Sequence, residues 1–307
     1  MKITIDLDRL LEEDRISEAE YKKFSKFAAR SIGMLAFNIF VGFGVIAVSG
    51  ASLALVPDPL MAIGIGAATL VTGLYLRHER LVEWKVLAGV CILVGALMSG
   101  GGIIAADDGS SESFVMVAAL FTFTSVFARS SMLAVLAAFS LASSLGARTA
   151  YFHATYFLGI QEPLLTVGVF SLVALSLYQL AQRLDATHAT LAIAAARTSV
   201  FLVNLGFWVG SLWGERNADW KIVIDDWVIA ITWAVALLAT AAWAWSSNRR
   251  WVLNVTAVFA GIHFYTQWFE HLGASPSTVL VAGILALSFA IGLKNLNGRM
   301  SPLTGGV

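Results

Sequence analysis

The sequence predicts an all-α polytopic transmembrane helix bundle. Three observations support this prediction: a low charge content, long apolar runs, and an uneven distribution of basic residues. Of the 307 residues, 58% are hydrophobic and only 13% are charged, whereas soluble globular proteins carry about 25% charged residues. Mean hydropathy is +0.77, and apolar runs near the length of a bilayer span recur along the chain.

The chain divides into three predicted parts. Residues 1–30 are mostly polar and form a cytosolic amphipathic helical lead-in, residues 31–293 form the transmembrane bundle, and residues 294–307 form a short cytosolic tail. In the lead-in, Ser17 and Glu20 have the spacing of a capping box, which predicts the start of a helix. The lead-in either lies on the membrane surface or docks a partner.

About ten membrane segments are predicted, with eight as the lower bound. They cover about 31–56, 58–76, 86–105, 114–128, 131–148, 163–182, 189–214, 226–246, 250–269 and 277–293. The fourth and fifth are short and joined by the turn Arg129-Ser130-Ser131, so they could form a hairpin that does not cross fully. The aromatic stretch 149–162 is predicted to lie in the membrane interface.

The basic residues predict the topology. With the N-terminus inside, sixteen Lys and Arg fall on the cytoplasmic side and three fall outside, while Arg197 is left within a span. This bias follows the positive-inside rule and places both termini in the cytoplasm. The outer side carries ten acidic residues, which form either a solvated surface or a vestibule that attracts cations.

The seventh segment carries two stripes. Gly206, Gly210 and Gly214 recur every four residues and predict a smooth face for helix packing. On roughly the opposite side, Arg197, Asn204 and Ser211 recur every seven residues, with Trp208 close by. A helix with such faces is expected at the centre of the bundle, with protein neighbours on both sides.

The ninth segment carries a polar stripe of its own. Thr256, His263, Gln267 and Glu270 share one helix face. Together with the stripe of the seventh segment, they are the candidate lining of an outward-side cavity for a substrate. Arg197 has two readings: it anchors an anion or carbonyl group in that cavity, or it snorkels to the inner headgroups.

No catalytic residue, metal site or cofactor is predicted. The sequence has no G-x-S-x-G motif and no phosphate-binding glycine loop. The single cysteine, Cys91, excludes a disulfide within the chain and a zinc site of several thiolates. A net charge of zero gives no nucleic-acid signature.

Two functions remain open on the sequence. The first is a transporter or permease-like protein with the polar cavity described above. The second is a non-transporting scaffold or accessory subunit, in which the face of Gly206, Gly210 and Gly214 packs against a partner membrane protein or a second copy. The lipid bilayer is the expected surrounding in both.

Both ends of the chain carry a family resemblance. The stretch LLEEDRISEAEYKKF, at residues 10–24, and the ending HFYTQWFEHLGASPSTVLVAGILALSFAIGLKNLN, at residues 263–297, resemble a family of uncharacterised bacterial multi-pass membrane proteins, catalogued as a domain of unknown function. The resemblance implies a bacterial inner-membrane location and brings no functional residues with it.

Overall fold

A computed structural model describes most of the chain between residues 10 and 299. The described residues are 10, 11, 13, 15–21, 24, 37, 40–51, 57–78, 84–152, 155–160, 162–216 and 221–299. Within these ranges, the side chains of 148–152, 155–159 and 295–299 are not described. The residues 300–307 of the predicted tail and most of the predicted lead-in therefore lie outside the described residues.

Ten helices of ten or more residues occur in the described part of the chain. They are α1 (Phe40–Ala51), α2 (Pro59–His78), α3 (Lys85–Ala106), α4 (Ser111–Ala128), α5 (Ser131–Ser144), α6 (Pro163–Ala181), α7 (Ala186–Trp213), α8 (Asp226–Ser246), α9 (Arg250–Leu272) and α10 (Pro276–Arg299). In the lead-in, the predicted capping box is confirmed, because Ser17 N donates to Glu20 Oε2 at 2.9 Å and Glu20 N donates to Ser17 Oγ at 3.3 Å.

Seven of these helices are long and apolar enough to cross a membrane, namely α2, α3, α4, α6, α7, α8 and most of α10. Within the described ranges, α1 and α5 are apolar but shorter. Helix α9 has 23 residues, but because of its polar stripe it is not among the helices that are apolar enough to cross a membrane. The all-α membrane class is thus confirmed, and the structure supports seven spans where the sequence predicts about ten.

Two short β-hairpins are a departure from the prediction. Strand β1 (Ala147–Phe152) pairs antiparallel with β2 (Thr155–Ile160), and β3 (Glu215–Arg216) pairs with β4 (Ile222–Ile224). The first hairpin occupies most of the stretch expected to lie along the interface. Its Thr, Tyr and Phe residues favour an extended backbone, and Gly146, with φ at 85°, follows the end of α5.

The chain forms two compact units. Unit 1 comprises Met1–Ser144 and Arg183–Ala195, and unit 2 comprises Leu145–Gln182 and Ala196–Val307. In unit 1, α2 and α3 pack so closely that their glycines meet the opposite backbone. A Cβ at Gly66 would lie 2.5 Å from the Ser99 amide nitrogen, and one at Gly73 would lie 2.7 Å from that of Ile92.

The core of unit 2 forms around α8 and α9, which run antiparallel. Trp233 of α8 contacts His263 of α9 near one end of the pair, while Ala244 clusters with Leu253 near the other. Trp233 is only 1% exposed. Large apolar side chains cover the outer faces of the helices, as with Leu238 at 73% exposure, which is the surface that lipid chains would contact.

Candidate functional site

A polar layer crosses the interior of unit 2 where α7, α8 and α9 meet. The indole nitrogen Nε1 of Trp233 donates to Oδ1 of Asn204 at 3.1 Å. Nε1 of Trp208 donates to Oγ1 of Thr266 at 3.0 Å. These bonds join α8 to α7 and α7 to α9, so both indole N–H groups are satisfied within the bundle.

Three buried side-chain nitrogens in this half of α9 have no hydrogen-bond partner: Nδ1 of His263, Nε2 of Gln267 and Nε1 of Trp268. His263 and Gln267 are four apart on α9 and therefore share a face. The His263 ring also meets the Trp233 ring edge-on, with centroids 4.8 Å apart. A buried donor without a partner costs about 1–3 kcal/mol, so this face presents unused hydrogen-bonding capacity.

The remaining predicted cavity residues differ in what they contact. Ser211 Oγ donates to its own helix at the Trp208 carbonyl, 2.8 Å away, and Asn204 Nδ2 donates to the Val200 carbonyl at 2.9 Å. Thr256 is buried, two turns from His263 on the same face. Glu270 is exposed at the end of α9. The structure therefore brings Asn204 and His263 together around Trp233, while Ser211 is engaged within its own helix.

Arg197 lies apart from this layer. Its side chain is exposed, and its Cζ lies 4.8 Å from the centroid of the Trp251 ring. Trp251 is in the first turn of α9, whereas His263 and Gln267 are three or more turns further along. The Arg197 guanidinium therefore lies beside the first turn of α9 rather than beside the unpartnered atoms.

The glycine face of α7 is covered by the chain's own helices. A Cβ at Gly206 would lie 3.0 Å from Val167 of α6, and one at Gly210 would lie 3.0 Å from Ile229 of α8. Gly214 follows the end of α7 at Trp213, with φ at 68°, instead of continuing the helical stripe. A partner helix at this face would have to displace α6.

A carboxylate supports the adjoining end of α6. Oε2 of Glu215 accepts a hydrogen bond from the Leu164 amide at 3.0 Å, in the first turn of that helix. Burial raises the pKa of Glu215, with a smaller upward contribution from the nearby Glu162 charge, and the Leu164 amide partly offsets both. Sequence patterns gave no signal for this contact, because the two residues are 51 apart.

No group of three or more His, Cys, Asp or Glu side chains that could hold a metal ion occurs among the described residues.

Trp233 is the residue that the sequence analysis did not single out. The sequence did hold a signal for Trp233, because it lies in the middle of an apolar segment. Tryptophans of membrane proteins usually lie at the two interfaces, so a tryptophan in the middle of a span is unusual. A mid-span indole needs an acceptor for its N–H group, which here is Asn204.

The seven apolar helices indicate a membrane-embedded protein, and the polar layer of unit 2 is its candidate functional site. Comparison with protein-family models, curated proteins and solved structures found no match.

Proposed function

We propose that this protein is a permease-like membrane protein that binds a small polar solute at the face of His263 and Gln267. The observation that carries the proposal is the pair of buried, unpartnered nitrogens on one turn of α9, beside the Trp233 ring. A binding site in an apolar bundle typically combines aromatic walls with a few convergent polar groups.

The chemistry of the pair defines the kind of solute. The Gln267 amide nitrogen is a donor only, and His263 Nδ1 donates or accepts according to its tautomer. A solute with carbonyl, carboxylate or hydroxyl oxygens could form hydrogen bonds with both the Gln267 amide nitrogen and His263 Nδ1. The neighbouring bonds of Trp233 and Trp208 hold the surrounding helices in register, which would keep the two nitrogens preorganised.

The test is a thermal-stability screen of the purified protein in detergent with amino acids, sugars, carboxylates and inorganic anions, followed by uptake of any active solute into proteoliposomes. A solute that binds only the folded state raises the apparent melting temperature. Two variants remove the nitrogens with little change of shape: Gln267→Leu and His263→Phe, which keeps a ring beside Trp233.

We expect each variant to lose the response to solute while its own stability stays equal or rises, because an unpartnered buried group has been removed. Thr232→Ala is the matched control, since Thr232 is exposed on α8 and bonds only its own helix at the Val228 carbonyl. A response that persists in both variants would contradict the site. No response to any solute, together with stoichiometric co-purification of another membrane protein, would favour the scaffold function.

We further propose a bacterial inner-membrane protein with ten spans and both termini in the cytoplasm, based on the sixteen-to-three distribution of Lys and Arg. A cysteine-free background needs only one change, Cys91→Ser. In that background, Asn248→Cys and Ala274→Cys place one thiol at each end of α9. An impermeant maleimide applied to intact cells should label position 274 and spare position 248. Labelling of both from one side would show that α9 does not cross.

A further inference from the structure

One end of unit 2 is basic. Arg249 precedes α9, Arg250 begins it, and Lys294 follows Leu293, which packs against the Ala244 and Leu253 cluster at this end. The described acidic residues of unit 2 all lie at the opposite helix ends: Glu162, Glu215, Asp225, Asp226 and Glu270. Within the described part of this unit, no carboxylate therefore lies at the end that carries Arg249 and Lys294.

Arg197 joins this basic end through Trp251. The guanidinium carbon lies 4.8 Å from the ring centroid, which is within the range of a cation–π contact. Stacking uses the flat face of the guanidinium and leaves its in-plane N–H donors available. Arg197 and Trp251 are both exposed.

The pair lies at a depth suited to a headgroup. Arg197 is sixteen residues before Trp213 at the end of α7, about 24 Å along the helix axis at 1.5 Å per residue. The hydrocarbon core is about 30 Å thick, so the two ends of this stretch fall near its two borders. An exposed tryptophan such as Trp251 is typical of that level.

Apolar side chains continue from this pair toward the middle of the membrane. Phe201 is one turn beyond Arg197, and Val258 is two turns beyond Trp251; they are 42% and 60% exposed. They give an acyl chain a surface directly below the basic groups. A free inorganic ion would make no use of this surface, which favours a lipid as the occupant.

We propose that Arg197, Arg249, Lys294 and the Trp251 ring form a binding site for the phosphate-bearing headgroup of an anionic lipid, with its acyl chain against Phe201 and Val258. Arginine forks recognise phosphate oxygens through paired N–H donors, and basic residues close to a membrane surface attract anionic lipids. The site is separate from the solute site of the proposed function.

The test is a titration of the purified protein, in a zwitterionic detergent, with dioctanoyl phosphatidylglycerol, dioctanoyl phosphatidylcholine and inorganic phosphate, followed by thermal stability and by native mass spectrometry. We expect phosphatidylglycerol to raise the melting temperature and to remain bound. Arg197→Gln and Arg249→Gln should each weaken this binding about fivefold, corresponding to about 1 kcal/mol for each basic residue at a membrane surface.

Lys221→Gln is the matched control, since it removes one positive charge from the opposite end of unit 2 and should leave lipid binding unchanged. Arg249 is exposed and precedes α9, so its variant reports on the site even if Arg197→Gln folds poorly. Equal binding of phosphatidylcholine, or unchanged phosphatidylglycerol binding in both arginine variants, would overturn the proposal. Inorganic phosphate stabilising the protein as strongly as the lipid would overturn it too.

Discussion

The indole N–H of Trp233 donates to the side-chain carbonyl of Asn204 at 3.1 Å, linking α8 to α7 inside unit 2. Trp233 is 1% exposed, and its ring also stacks parallel to that of Phe207, with centroids 6.3 Å apart. Asn204 in turn donates to its own helix at the Val200 carbonyl. The polar side chain of Asn204 on α7 thus holds the large aromatic side chain of Trp233 on α8 in place.

The bond between Trp233 and Asn204 should be measurable in a double-mutant cycle. Trp233→Phe removes the donor and Asn204→Leu removes the acceptor. Each single change should lower stability, by about 1–3 kcal/mol where it leaves a buried group unsatisfied. The double variant should lose less than the sum, because the two changes remove one shared interaction.

Stability in mild detergent by denaturant titration would measure this coupling. The pair Trp208→Phe and Thr266→Val tests the second bond of the polar layer in the same manner. Strict additivity in the first cycle would show that the bond contributes nothing to the fold.

The contact between α2 and α3 should be intolerant of a single methyl group at Gly95. A Cβ there would collide with the Leu70 amide nitrogen and lie 2.6 Å from the Gly66 carbonyl oxygen. Both are backbone atoms, so Gly95→Ala should force the helices apart and lower the melting temperature by several degrees, as overpacking costs about 1–3 kcal/mol.

Gly89 provides the control on the same helix. A Cβ at Gly89 meets nothing within 4 Å, and alanine is the better helix former by about 0.5–1 kcal/mol. Gly89→Ala should therefore leave the melting temperature equal or higher. Equal losses from the two alanine variants would contradict the close helix contact.

Replacing Gly214 by alanine should destabilise the protein for two separate reasons. Its φ of 68° disfavours any residue with a side chain, and a Cβ there would lie 2.6 Å from the Ile224 carbonyl oxygen. Gly273 has a similar φ of 71° but open space around it. Gly273→Ala should lose about 1–3 kcal/mol from the backbone alone, because a φ of 71° with a ψ of 175° is a conformation essentially restricted to glycine. Gly214→Ala should lose clearly more.

Comparing the thermal stability of the two variants separates crowding from backbone strain. Matching losses at both positions would show that the β3–β4 hairpin yields to the added methyl group.

The carboxyl of Glu215 should give stability a pH dependence of defined sign. Its folded-state pKa is raised, chiefly by burial, so the folded protein binds more protons than the unfolded chain between the two pKa values. Stability from this group is greatest below the unfolded pKa of about 4.3 and falls as the pH rises through the folded pKa. Glu215→Gln should remove this decline, measured as melting temperature between pH 4 and 7.

Asp185 provides the opposite slope. A hydrogen bond with His188 lowers the pKa of Asp185, so its contribution is present above the unfolded pKa and is lost as the pH falls through the folded pKa. Asp185→Asn should therefore flatten the acid side of the plot of melting temperature against pH.

For Glu215, a plot of melting temperature against pH for Glu215→Gln that runs parallel to that of the unmodified protein would contradict the raised pKa.

The sequence by itself determined the membrane class and the places where most helices begin and end. Apolar runs of about twenty residues match the length of a spanning helix, and a helix satisfies all of its backbone hydrogen bonds within the segment. The capping residues Ser17 and Glu20 act through local spacing, so the sequence was sufficient to predict them. The β1–β2 hairpin was not predicted within the stretch 149–162, because aromatic and β-branched residues suit both an interface and a strand.

Only the tertiary structure decided which polar side chains are already used and which remain without a partner. Periodicity placed Asn204, Ser211 and His263 on helix faces, but it contains no information about which helix lies opposite. The contacts of Trp233 with Asn204 and His263 join residues about thirty positions apart. Such contacts depend on how three helices pack, and packing is a property of the whole bundle rather than of any local pattern.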